Sequence, residues 1–497
     1  MVILNGESLT LPQVAVVAAG KEQVSISGDA LRRMADSRDV VETLAAGEEP
    51  VYAVNTGVGL LADRRITAGE LEHLQRNVVR SHACGVGEPL AGEVVRAMML
   101  IRANVLAKGL SGIRPVAAER LCDLLNRGVT PVVPSRGSVG ASGDLAPLAH
   151  IALVLMGEGE AEHEGRRFKG GEALRTVGLE PLTLAPKEGI SLINGTQAML
   201  AIGCLELEAA RTLAVTADVF CALTTDSLHG TPRAFDPRAH AARPHPGQLA
   251  SAERMRRLME GSMIRESHRH CPRVQDAYAL RCAPQVHGAV HDAIRTAAAV
   301  FAIELNAATD NPLVFGNEIL SAGNFHGEPV ALQLDYLAIA LTSLAGISER
   351  RVDRLVNPAL SEGLPPFLAR EAGLESGYMM PQVTAAALVG ENRVLASPAT
   401  VGSIPTSGNK EDFVSMGMAS ALKLQQIVRN TRYVLAIEGL CAARALEFLR
   451  PLQTSPRLEQ VYHLLRLAAS EPASDAPFTP RFEAVAKLIA SGVLTDV

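Results

Sequence analysis

Apolar residues three and four positions apart dominate the second half of the chain. Residues 196–224, 284–309, 329–355 and 412–448 are rich in Ala and Leu, with Pro and Gly sparse inside them. The spacing predicts helices of about 25–35 residues, about 40–50 Å long at 1.5 Å per residue. Several such helices in one chain predict an extended bundle. The first half is more broken. Val95, Met98, Met99, Arg102 and Leu106 fall at helical spacing and predict a helix over 92–108, stopped by Gly109. Residues 129–147 crowd turn formers into one loop, and 151–156 form a short buried apolar segment. Residues 157–185 predict a surface excursion with a β-hairpin. The expectation is a mostly α chain: a mixed, mainly helical N-terminal domain over 1–195, then a central long-helix bundle with C-terminal helices over 196–497. Broad Ala-rich faces are expected to be buried between subunits, the alternative being a monomeric bundle.

Composition narrows the function. The 497 residues are 47% hydrophobic and 20% charged, so a large core is easily built and global disorder is excluded. The net charge of −6 gives no nucleic-acid or membrane-surface footprint. With no Trp and 3% aromatics, base-stacking platforms are not expected. Seven scattered Cys without a C-x-x-C pair fit a reducing cytoplasm better than a disulfide framework. The N-terminal residues lack the basic and apolar regions of a signal peptide. No run of about 18 uninterrupted apolar residues suggests a membrane span. A cytoplasmic enzyme without nucleic-acid or membrane partners is the expectation.

Chemistry concentrates at Gly140-Ala141-Ser142-Gly143-Asp144. A phosphate cradle would need G-x-G-x-x-G or G-K-[ST], and a hydrolase elbow needs G-x-S-x-G; neither is present. A third possibility fits the atoms. On a tightly bent backbone the amide nitrogen of Gly143 attacks the carbonyl carbon of Ala141, and Gly offers the least hindrance to that approach. Loss of one water closes a five-membered ring. Loss of a second, carrying the Ser142 hydroxyl, leaves a methylidene-imidazolone electrophile. An ordinary turn is the alternative for so short a motif.

Context decides between them. The stretch Gly137-Ser138-Val139-Gly140-Ala141-Ser142-Gly143-Asp144, running on to His150, resembles the signature of the aromatic amino acid ammonia-lyase family. Further matches are Tyr52-Ala53-Val54-Asn55-Thr56-Gly57-Val58-Gly59, Ile193-Asn194-Gly195-Thr196-Gln197, Val274-Gln275-Asp276-Ala277-Tyr278-Ala279-Leu280-Arg281-Cys282 and Gly323-Asn324-Phe325-His326. They cover the chain from Tyr52 to beyond Ser415, in the family's order.

The resemblance implies a fumarase/aspartase-like helical fold and a homotetramer whose subunits share active sites. It implies elimination of ammonia from an aromatic α-amino acid by an imidazolone formed from Ala141, Ser142 and Gly143, with no metal and no nucleotide. Tyr52 matches the family's base on a mobile loop; a buried core Tyr is the alternative. Arg281 matches the residue gripping the substrate carboxylate, with both oxygens within a guanidinium's reach. On a helix Tyr278 shares its face and Gln275 lies nearby. Asn194 matches a residue contacting the electrophile and carboxylate, and also suits a helix N-cap. Phe325 matches an aromatic beside the imidazolone, or plain core. His150 reads as structural.

Two positions speak to the substrate. Ser81-His82 stands where phenylalanine-type members carry Phe-Leu and tyrosine-type members His-Leu, and resembles the histidine type. His82 can supply one hydrogen bond to an imidazole, or be a bonded His without a substrate role. Glu411 replaces a Gln typical of the phenylalanine and tyrosine types; a carboxylate suits an imidazole better than a phenyl ring, or acts as a catalytic base in the site. L-histidine to trans-urocanate is therefore the expected reaction. Lys410 and Phe413 depart from many histidine-type members, Lys410 facing either Glu411 or solvent. The run Gly377-Tyr378-Met379-Met380-Pro381-Gln382 departs too. An aminomutase, or a lyase for a substituted histidine or other aromatic amino acid, stays as the alternative. Metal hydrolysis through His229, His240, His245, His268, His270 and Cys271 lacks any closed zinc spacing.

Overall fold

The computed structural model describes residues 1–271 and 273–497. It forms two compact units. The first comprises Met1–Leu205, Ala298–Asp335 and Pro398–Leu422, and the second Glu206–Ala297, Tyr336–Ser397 and Lys423–Val497.

The long helices lie where the apolar spacing predicts them: Gln197–Ser227, Ala283–Glu304, Glu328–Val356 and Gly417–Phe448. Two bounds differ from expectation. The second helix stops at Glu304, ahead of the polar run at 309–311. The last starts at Gly417 rather than near 412, because Met416 has a positive φ of 55° and breaks the spiral. Glu328–Val356 is long and apolar enough to cross a membrane by composition alone, but half of its most apolar window is buried within the protein. Leu332, Tyr336 and Ile339 are exposed along it at helical spacing.

In the first unit the helix Gly92–Ala107 is buried on nearly every face, and Gly109 follows with φ +81° as the expected stop. Its fully buried Val95, Met98, Met99, Leu100, Ile101 and Leu106 each contribute about 1.5–3 kcal/mol of burial. The helix Leu145–Leu155 holds the predicted apolar segment up to Leu155, with Met156 as its C-cap residue. The hairpin expected within 157–185 pairs Glu160–His163 with Arg166–Lys169, antiparallel. A second hairpin, Leu313–Phe315 with Glu318–Leu320, was not foreseen. Its Val314 packs with Val41 and Val54 in a small core that backs the Tyr52 loop.

In the second unit, His229 stacks on His268 with ring centroids 3.7 Å apart. Burial, His268 and Arg273 together lower the His229 pKa from 6.5 to about 4. The unfolded chain thus binds a proton between about pH 6.5 and 4 that the folded chain refuses, so stability falls with pH across that window. Thermal melting should show Tm dropping from pH 6.5 to 4, with a shallower drop in His229→Gln. An equal slope in both proteins would contradict this assignment.

Candidate active site

The imidazolone-type loop is fixed by close backbone contacts. Gly143 has φ +67°, and a Cβ there would lie 2.2 Å from the Gly195 carbonyl oxygen. The Asp144 amide donates to that same carbonyl at 2.6 Å. Gly140 has φ +68°, and a Cβ there would meet Ser415 Oγ at 2.2 Å. Its carbonyl accepts from Ser415 Oγ at 2.9 Å, while the Met416 amide donates to the Val139 carbonyl at 2.8 Å. Both ends of the loop are therefore clamped, and the glycines stand where no side chain fits.

Asp144 anchors the loop to the next segment. One of its buried carboxylate oxygens accepts from the Ala198 and Met199 amides at 2.9 Å, capping the helix Gln197–Ser227 from outside. The other accepts from Ser138 Oγ at 2.9 Å. Burial raises its pKa to about 6, against the pull of these bonds. Asn194, the residue weighed as an N-cap, does not cap this helix. It is the C-cap residue of Glu188–Ile193. Its Nδ2 donates to Asp310 Oδ1 at 3.3 Å and to the Asn311 carbonyl at 3.1 Å, leaving its buried Oδ1 without a hydrogen-bond partner.

A buried charge cluster holds Asn194 in place. Arg102 donates to the carbonyls of Asn194 at 2.8 Å and Thr309 at 3.4 Å, and to that of Ser191. Lys187 Nζ reaches Asp310 at 3.4 Å, Ser111 at 2.8 Å and Ser191 Oγ at 2.9 Å. Burial lowers the pKa of Arg102 to about 10 and lowers that of Lys187. Breaking such a pair costs about 3–5 kcal/mol, because an uncompensated charge stays buried. The helical spacing that placed Arg102 on an apolar stripe gave no sign of this role. The polar run at 309–311 was the available signal.

Tyr52, His82, Ser142, Asn194, Phe325 and Glu411 line one cavity of ≈ 550 Å³ in the first unit. Ala141 and Gly143 lie buried on either side of Ser142. Ser142 Oγ donates to Glu411 Oε1 at 2.8 Å, and Thr406 Oγ1 to Glu411 Oε2 at 2.7 Å. Tyr52 Oη accepts from the Gly59 amide at 3.3 Å. Its loop is braced by buried Asn55 and Thr56: Asn55 Oδ1 accepts from the Val51 amide at 2.7 Å, and Thr56 Oγ1 from the Ala53 amide at 3.1 Å. His82 Nδ1 lies 2.7 Å from the Val78 carbonyl. A carbonyl only accepts, so Nδ1 carries the proton and Nε2 is left as an acceptor in the neutral ring. Asn77, on the same helix Leu71–His82, also lines the cavity and was missed from sequence.

Other candidates lie elsewhere. His150 Nε2 accepts from the Gly85 amide at 3.2 Å, as a structural residue would. Lys410 is exposed, and Glu411 is bonded to Ser142 and Thr406 instead. Phe413 is also exposed, and its carbonyl accepts from His326 Nε2 at 3.2 Å. Gln275, Tyr278 and Arg281 belong to the second unit. Tyr278 is 70% exposed, and the Arg281 guanidinium lies 4.6 Å from its ring centroid, so the two do share a face. Gln275 is exposed ahead of that turn. Among the described residues, no group of three or more His, Cys, Asp or Glu is placed to hold a metal ion.

The sequence model of the family described as aromatic amino acid lyase matches residues 9–467. The histidine ammonia-lyase of Koribacter versatilis (strain Ellin345) is 57% identical over 505 residues, covering 99% of this chain and 98% of that one. The crystal structure of histidine ammonia-lyase from Trypanosoma cruzi superposes with a TM-score of 0.92 at 42% identity, covering 99% of this chain and 94% of that one. Tyrosine aminomutase from Streptomyces globisporus superposes with a TM-score of 0.94 at 38% identity, with 99% and 97% covered. A match over most of its length, with relatives this similar end to end, shows that the chain belongs to the aromatic amino acid lyase family.

Proposed function

We propose that the protein is a carbon–nitrogen lyase that eliminates ammonia from L-histidine to give trans-urocanate. The observation that carries this reading is the pairing of Ser142 with Glu411 in a cavity that also holds His82. Full-length relatives called histidine ammonia-lyase support it.

The closely packed Ala141-Ser142-Gly143 loop, with Gly140 ahead of it, fits the precursor of a methylidene-imidazolone. Once formed, that group supplies the electrophile the reaction needs, since an α-amine is a poor leaving group and the β-proton is barely acidic. The remaining work falls to side chains. Tyr52, as the phenolate, takes the β-proton on Oη and becomes the phenol, with the Gly59 amide stabilising the phenolate before the transfer. His82 Nε2 accepts from the substrate's imidazole N–H, and Glu411 faces the same ring. The unpartnered Asn194 Oδ1 takes a substrate N–H, and Phe325 packs beside the ring.

Arg281 grips the carboxylate, with Tyr278 and Gln275 beside it. In this proposal they act from a second copy of the chain in a homotetramer. The exposed Tyr278 and the exposed Leu332, Tyr336 and Ile339 support such an assembly. Free thiols support a cytoplasmic setting.

Purified protein supplied with L-histidine should release ammonia and one equivalent of a conjugated, ultraviolet-absorbing product. A β-amino acid product would instead identify an aminomutase, and no turnover would overturn the proposal. Ser142→Ala should fold normally yet lose at least about 10³-fold in kcat, for want of the electrophile. Tyr52→Phe should lose about 10²–10⁴-fold in kcat with a modest change in KM. Near-parental kcat in either variant would remove that residue from its assigned role.

A further inference from the structure

The turn carrying Tyr278 and Arg281 is only four residues long, and the bonds behind it belong to a buried chain of charges in the second unit. Arg351 is fully buried. Its Nε and Nη2 meet the two oxygens of buried Glu438 at 2.5 and 2.8 Å. Thr224 and Ser348 hydroxyls complete that carboxylate at 3.0 and 2.5 Å. The remaining nitrogen, Nη1, points two ways: to His287 Nε2 at 3.2 Å and to the Ala279 carbonyl at 3.4 Å.

His287 fixes that nitrogen from the far side. Its Nδ1 lies 2.8 Å from Asp218 Oδ1, and an ionised carboxylate only accepts, so Nδ1 carries the proton and Nε2 offers its lone pair to Arg351. Asp218 is held in turn by Ser251 Oγ at 3.1 Å, by His291 Nε2 at 3.1 Å and by Arg254. At the other end of the segment, Asp276 accepts from the Thr231 amide at 2.8 Å. The segment is thus tied through the Asp276 side chain and the Ala279 carbonyl, while the side chains of Gln275 and Tyr278 are exposed and Arg281 Nε is buried without a partner.

We propose that His287 and Arg351 are positioning residues for recognition of the substrate carboxylate. They hold the Ala279 carbonyl, and through it the turn on which Tyr278 and Arg281 stand. The proposal rests on the role given to Arg281 in the proposed reaction. A merely stabilising ion pair between Arg351 and Glu438 would lower Tm without favouring one ligand over another.

Two substitutions separate these cases. In His287→Asn the carboxamide nitrogen keeps the Asp218 bond but nothing reaches Arg351. In His287→Gln the carboxamide oxygen reaches the Nε2 position and still accepts from Arg351. His287→Asn should raise KM for L-histidine and Ki for trans-urocanate about tenfold, with kcat changed less than about threefold. Ki for 4-methylimidazole, which has no carboxylate, should stay unchanged. His287→Gln should recover most of the parental KM. Unchanged KM in His287→Asn, or equal shifts in both inhibition constants, would overturn the positioning role. An inactive parent protein would overturn the reaction itself. If His287→Asn does not fold, Arg351→Lys is judged by the same criteria, since it keeps the charge facing Glu438 but is too short for Ala279.

Discussion

The active site depends on the contact of two backbone segments, where Gly143 and Asp144 press against Gly195. The amide-to-carbonyl distance of 2.6 Å and the absence of room for a Cβ at Gly143 come from the same approach. A Cβ at Gly195, where φ is +155°, would lie 2.5 Å from both the Thr309 carbonyl oxygen and Gln197 Oε1. Two chain segments about fifty residues apart in sequence can meet this closely only if both lack side chains there. The bend at Ala141-Ser142-Gly143, and the reach of Ser142 toward Glu411, follow from that contact.

Such a contact needs stiff backing, and the protein supplies it with buried charge. Arg102, Lys187 and Asp310 are costly to desolvate and return little net stability even when well paired. What they provide is direction. Three carbonyls, from Ser191, Asn194 and Thr309, converge on one guanidinium, so the residues that face the cavity have few ways to shift. Asp144 adds a second tie by capping the helix that begins at Gln197. The second unit repeats the tactic around Arg351, where again a fully buried guanidinium holds a backbone carbonyl, that of Ala279 beside Tyr278.

The sequence showed some of this plainly and some not at all. Long helices were legible because Ala and Leu recur at helical spacing, and their ends were less so because a single positive φ at Met416 moves a start by several residues. The cavity residues were legible through motifs, since Tyr52, His82, Ser142, Asn194, Phe325 and Glu411 sit in short, recognisable runs. The supporting shell was not. Arg102 falls on an apolar stripe, but its partners stay hidden until Ser191, Asn194 and Thr309 are brought around it, and those contacts join residues about 90 to 200 positions apart. Asn194 illustrates the same limit: its position ahead of a helix suggested a cap, yet Asp144, far away in sequence, takes that role.

The mass of the intact purified protein tests the central claim most directly, measured for the parent chain and for Gly195→Ala. If the close contact of Gly195 with the loop drives ring closure, the parent is lighter than its encoded sequence by two waters and the folded variant keeps its full encoded mass. A folded Gly195→Ala protein that has lost both waters would contradict the account, and so would a parent chain that has lost none.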